Sequence, residues 1–168
     1  MPSTPEQNSM ETFLKDGERP VDEKNVTAMT RILLVDDFQP FRTFVTSLLS
    51  SNGYAFYEAS DGVEAIAKAQ EFQPDLILLD THLPKLNGLE VAHRLRALVP
   101  LSKIVFFTLE KSAEIVQEAL SLGACGYVTK MQARADLPAA LTAVLQGERF
   151  VSSGLDDDRL GSKTSRPG

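Results

Sequence analysis

Between residues 30 and 147 the chain alternates short apolar runs with amphipathic stretches. The runs lie at 32–35, 54–59, 76–79, 104–107 and 124–128; Val, Ile, Leu and Phe dominate three of them, as strands buried on both faces require. After the first run, Phe41, Phe44, Val45, Leu48 and Leu49 fall at i, i+3, i+4, i+7 and i+8. That is the spacing of one helix face, with Pro40 suited to the first turn and Gly53 to the stop. Asp61-Gly-Val-Glu64 reads as a capping box for a second helix, and Asn87 caps a third running to Val99. A fourth helix covers 115–120 and stops at Gly123, and Leu137, Leu141, Val144 and Leu145 mark a fifth. The pattern is (βα)5. The flanks differ: 1–29 is polar, rich in Pro, Glu and Lys and without periodicity, which predicts a disordered N-terminal extension, and 148–168 reads as a flexible C-terminal tail.

Strands that alternate with helices form a parallel sheet through right-handed crossovers, with helices on both faces. The expected fold is α/β, flavodoxin-like and doubly wound, with five parallel strands in the order 2-1-3-4-5. Ligands in such sheets bind at the carboxyl ends of the strands where the order reverses, between strands one and three. Asp36 and Asp37 leave the end of strand one, and Asp80 leaves the end of strand three. Three carboxylates at one mouth repel one another unless a cation lies between them, and a hard divalent ion with oxygen preferences suits that set. The expected cofactor is Mg2+. Strand four ends by bringing Thr108 to the same edge, and strand five ends by bringing Lys130. A carboxylate nucleophile, a divalent metal, a hydroxyl donor and a fixed cation are the parts that phosphoryl transfer onto Asp80 needs.

The acidic pair, the D-x-x-L-P-x-x-N-G run from Asp80 to Gly88, Thr108 and Lys130 occur in order at successive strand ends. In these features residues 31 to about 147 resemble the receiver domain of bacterial two-component response regulators, so 30–147 is taken as a receiver domain. The resemblance implies that Asp80 is the phosphoacceptor, Asp37 a direct metal ligand, Asp36 a ligand through water, and His82 a ligand through its backbone carbonyl. Thr108 and Lys130 would bind phosphoryl oxygens, and Tyr127 would be the switch aromatic that follows Thr108. The implied partners are a sensor histidine kinase or a histidine phosphotransfer protein, a downstream protein on the face of helix four, strand five and helix five, and a second copy of the chain in a phosphorylation-dependent homodimer. Receivers usually carry Pro after the lysine; here Met131 follows, which predicts a trans peptide bond and a differently set loop. Together with the ending AVLQGERFVSS, this is similar to receivers of nitrate-response and quorum-response regulators, which normally precede a four-helix DNA-binding domain.

A formal net charge of −6 argues against a surface built for nucleic acid or anionic lipid. The sequence also carries no recognition helix-turn-helix motif, no signal peptide and no apolar run of membrane-spanning length, so a cytoplasmic location is expected. Cys125 is the single cysteine and reads as a packing residue, His93 as a surface helix residue, and the aspartates at 156–158 as a solvated patch. An aspartate-based phosphatase would need a second Asp two residues after its nucleophile. Those positions are Phe38 and His82, which removes that reading. The remaining alternative is the receiver fragment of a DNA-binding transcriptional regulator. Finally, His82 and Glu110 each lie two positions beyond a site residue on neighbouring strands, which places them on opposite lips of the site, either paired over it or as two independent solvated side chains.

Overall fold

The computed structural model describes residues 29–155. The expectations for 1–28 and for 156–158 fall outside that range. Five apolar runs become parallel strands: β1 (Arg31–Val35), β2 (Ala55–Ala59), β3 (Leu76–Leu79), β4 (Lys103–Thr108) and β5 (Gly126–Thr129). Five helices alternate with them: α1 (Gln39–Leu48), α2 (Gly62–Phe72), α3 (Gly88–Leu98), α4 (Ala113–Ser121) and α5 (Ala133–Leu145). The sheet order is β2-β1-β3-β4-β5-β6, so the expected 2-1-3-4-5 arrangement holds and gains a sixth strand.

That strand, β6 (Phe150–Val151), departs from the sequence reading, in which a flexible tail begins at 148. Gly126 pairs with Phe150 and Tyr127 with Val151, in parallel. Ser152 accepts a hydrogen bond at Oγ from the Thr129 N–H and donates to Asp136, while Leu155 is buried. The far edge of β5 is thereby closed by the chain's own next segment.

Alternation along each strand divides the core in two. Leu33, Val35, Ile77, Leu79, Phe106 and Tyr127 face one layer with α2, α3 and α4, and Ile32, Leu34, Leu76, Leu78, Phe107 and Val128 face the other with α1 and α5. The helix starts follow the sequence reading closely. Asp61 accepts from the Glu64 N–H at 2.8 Å and Asn87 from the Glu90 N–H at 3.0 Å. Glu64 reaches back to the N–H of Ser60, one residue before the cap, so the box is wider than the ideal. Helix α4 begins two residues before its expected start, capped by Ser112, whose hydroxyl carries no apolar signal. At Gly88 a Cβ would lie 2.0 Å from the Asp80 carbonyl oxygen; only glycine lets α3 start against the end of β3.

Candidate functional site: an acidic cluster at the strand ends

Strand β1 lies between β2 and β3, and its register aligns Val35 with Leu79, so the next residues, Asp36 and Asp80, emerge side by side. The backbone holds them there. Asp36 N–H donates to Ala59 O and Asp80 N–H to Val35 O, continuing the ladders one residue beyond the strands. One carboxylate oxygen from each of Asp36, Asp37 and Asp80 lies within 4.8 Å of the others. Asp36 and Asp80 are buried and Asp37 is exposed, which leaves the cluster open to solvent on one side.

Lys130, the first residue after β5, reaches across the mouth. Its Nζ is 2.5 Å from Asp36 Oδ2 and 2.8 Å from Asp80 Oδ2, and its side chain is only 6% exposed. Burial works against the ammonium, but the hydrogen bonds to Asp36 and Asp80 outweigh it and hold the Lys130 pKa above the ordinary lysine value. Burial pushes the Asp36 carboxyl up, opposed by Lys130 and by the Phe38 N–H, which donates to Oδ1 at 2.9 Å. Asp80 Oδ1 accepts from the His82 N–H at 3.1 Å.

Thr108 ends β4 fully buried, and its Oγ1 lies 2.8 Å from Thr81 Oγ1. Tyr127 is buried too, stacked on Phe106, and its hydroxyl donates to the Glu110 carbonyl at 2.8 Å. Burial, then the Glu110 and Asp80 carboxylates, push the Tyr127 phenol far up, so it stays a donor. His82 Nε2 comes within 3.4 Å of Glu110 Oε1, the paired one of the two arrangements the sequence left open, and its side chain is 72% exposed. The cleft over the cluster is lined by Asp36, Asp37, Phe38, Phe41, Asp80, His82, Leu109 and Lys130.

Residues 32–142 match the response regulator receiver domain family. The chain belongs to that family. It is 36% identical over 126 residues to the transcriptional activator protein ExaE of Pseudomonas putida, covering 74% of this chain and 59% of that protein. Against the nitrate/nitrite response regulator protein NarL of Escherichia coli it is 40% identical over 126 residues, covering 74% and 58%. The crystal structure of a LuxR-family two-component response regulator from Aurantimonas sp. superposes with a TM-score of 0.75 at 32% identity, covering 82% of this chain and 99% of that one. The chain spans 59% to 65% of the length of the first of its curated relatives.

Residues 32–142 are therefore a two-component receiver domain, a signalling module, and receivers interact with histidine kinases. The three clustered aspartates are typical of the magnesium site of a receiver. They fit such an ion chemically. The donors are all hard oxygens, two of them are buried, and one lysine supplies a single positive charge against three carboxylates.

The side chains of Asp36, Asp37, Asp80, His82, Thr108 and Lys130 reach this end of the sheet, but not all touch. Asp36, Asp80 and Lys130 bond directly, Asp37 stands beside them, and Thr108 bonds to Thr81. Thr81 escaped the sequence reading, although a hydroxyl directly after a buried aspartate is the signal that would have marked it. The Lys130–Met131 bond is trans, there being no cis peptide bond among the described residues, and Lys130–Gln132 forms a 3-10 turn that leads into α5. Among the described residues no helix is long and apolar enough to cross a membrane. His93 is exposed, and Cys125 is a half-buried free thiol.

Proposed function

We propose that the chain is the phosphoacceptor switch of a two-component phosphorelay, phosphorylated on Asp80 with Mg2+, passing its signal on by protein–protein contact. The observation that carries this reading is the direct contact of Lys130 Nζ with Asp80 Oδ2 at 2.8 Å, inside a cluster of three carboxylates. In this reading an Asp80 oxygen attacks phosphorus while the phosphorus–nitrogen bond to a donor imidazole breaks, its electron pair leaving on the nitrogen. Asp37 would hold the metal directly, Asp36 through water, Asp80 by its carboxylate and His82 by its backbone carbonyl. Bound magnesium supplies charge neutralisation on the transferring oxygens. Lys130 turns from Asp36 toward the phosphoryl group, and Thr108 exchanges its bond to Thr81 for one to a phosphoryl oxygen. That exchange frees the segment running to Glu110, whose carbonyl holds the Tyr127 hydroxyl, which couples the site to the surface.

The donor is a sensor histidine kinase or a histidine phosphotransfer protein, consistent with a cytoplasmic location. The output surface comprises α4 and α5 with β6 lying along β5, and it serves a downstream protein or a phosphorylation-dependent homodimer. The test is thermal melting with Mg2+ and the phosphoryl mimic beryllofluoride. A ligand bound only to the folded chain raises the melting temperature, here by about 5 °C at saturation. Asp80→Ala abolishes the shift, and a wild-type chain that does not respond refutes the reading.

A second reading is favoured by the relatives: ExaE is a transcriptional activator protein, and this chain spans 59% of it. There the same switch would belong to a DNA-binding transcriptional regulator, with the output domain outside this chain.

A further inference from the structure

The ammonium of Lys130 has a third neighbour besides its two carboxylates. Its Nζ lies 4.4 Å from the centroid of the Phe41 ring and 5.9 Å from that of Phe107. A cation within about 6 Å of an aromatic face is attracted by the ring quadrupole, and the attraction grows when water is excluded, as it is around a side chain 6% exposed. Phe41 is itself held in place. It meets Phe107 at 5.7 Å and 90° and Phe44 at 5.9 Å and 81°, both perpendicular contacts.

Phe41 is more than a member of the α1 apolar stripe. Val45 and Leu49 carry the fully buried contact of that stripe, whereas Phe41 is half-buried and lines the cleft above the acidic cluster. Its ring also lines a second, shallower hollow with Phe38, Pro40, Phe44 and Lys130. The ring is thus the apolar wall against which the ammonium rests while it faces the carboxylates.

We propose that Phe41 is a positioning residue for phosphoryl acceptance, its ring face keeping the Lys130 ammonium on the Asp80 side of the cleft. The need arises from the acidic cluster. When a cation draws the Asp36 carboxylate to itself, Lys130 loses one of its two anionic partners, and its four-carbon stem gains freedom to swing into water. The Phe41 ring does not compete for the cation, and its contacts with Phe44 and Phe107 do not involve the carboxylates. Lys130 is then preorganised for an incoming phosphoryl oxygen without an entropic cost at the moment of transfer.

The inference rests on the phosphoacceptor reading above, and its test keeps the two separable. Phe41 is replaced by phenylalanine carrying one, two or three ring fluorines, which drains the quadrupole while nearly preserving shape. The affinity of each full chain for beryllofluoride with Mg2+ is then measured by calorimetry. The affinity is expected to fall stepwise with fluorine number, by about three- to tenfold across the series. Fluorination of Phe44, whose ring faces Arg134 instead, is expected to leave it unchanged.

A second readout is free of any ligand. The Lys130 Hε protons, carried on the carbon next to an ammonium that lies 4.4 Å from the Phe41 centroid, should resonate upfield in the NMR spectrum of the wild type and return toward their ordinary position in Phe41→Leu. No binding by the wild type defeats the phosphoacceptor reading and, with it, a role for Phe41 in phosphoryl acceptance. Binding that is indifferent to fluorine number, or Lys130 Hε shifts unchanged in Phe41→Leu, overturns the role of Phe41.

Discussion

His82 and Glu110 stand where solvent meets the site, His82 on the lip of the cleft and Glu110 3.4 Å from its ring. Glu110 is fixed from the other side by the Ser112 N–H, which donates to Oε2 and is the main cause holding its carboxyl below the usual range. The pair therefore has a defined position despite its exposure. In the proposed phosphorylated state, water attacking in line would have to pass the pair. His82→Ala and Glu110→Ala are each expected to speed loss of acid-labile phosphate from Asp80 several-fold. The double mutant should be little faster than either single one, because neighbours that act together are non-additive. Decay curves for the four proteins test this, and strictly additive rates would reduce the two to independent surface side chains. Their placement on opposite lips was legible from strand order and offset, but the sequence left open whether they meet, and the structure shows that they do. The contacts of Thr81 with Thr108 and of Phe41 with Lys130 were not legible, because they depend on side-chain direction at loop and helix positions where no sequence period applies.

At the scale of elements, the reading succeeded where a local rule has a physical cause and failed where an element owes its existence to a neighbour. The start of α2 is of the first kind. The Ser60 N–H, followed by the Lys68 ammonium, holds the Glu64 carboxyl below the usual carboxylate range. A depressed carboxyl contributes stability that is present above its unfolded pKa and lost as pH falls through the folded one. Glu64→Gln should accordingly melt below wild type at pH 7, with the gap closing toward pH 3. A gap constant across that range would mean that geometry, not charge, is the contribution. Strand β6 is of the second kind. Two residues after Glu148 and Arg149 carry no strand period, and their partner is the open edge of β5. Leu155, buried in the layer that includes Val116, Ala119 and Tyr127, anchors its far end. Leu155→Ala is expected to cost about 2 kcal/mol in denaturant unfolding, the low end for a buried leucine, since a terminal segment can collapse into the space. A loss under about 0.5 kcal/mol, the scale of surface substitutions, would show that the segment is not docked in solution.

For the molecule as a whole, the two apolar layers and the acidic mouth were readable because they follow from alternation and from where a doubly wound sheet reverses. The family match then says what kind of module this is, and charge says what this stretch of chain can bind. Affinity for duplex DNA begins with cations laid along phosphates, each of which releases a counterion, so it needs a basic face before any base is read. This chain has 17 Lys and Arg against 23 Asp and Glu, and Lys130 is committed to Asp36 and Asp80. Recognition further needs an element that enters a groove, and the five helices described here are the crossovers of the sheet, each with its apolar side packed on it. Although its relatives include a transcriptional activator protein, this chain by itself is expected to leave duplex DNA unshifted in a gel at about 0.1 M salt, with or without beryllofluoride. The proposed phosphorylation of Asp80 would add negative charge at the mouth and so would not supply the missing attraction. Salt-sensitive, sequence-selective retardation by these 168 residues would contradict this and would place a DNA-reading surface on the receiver itself.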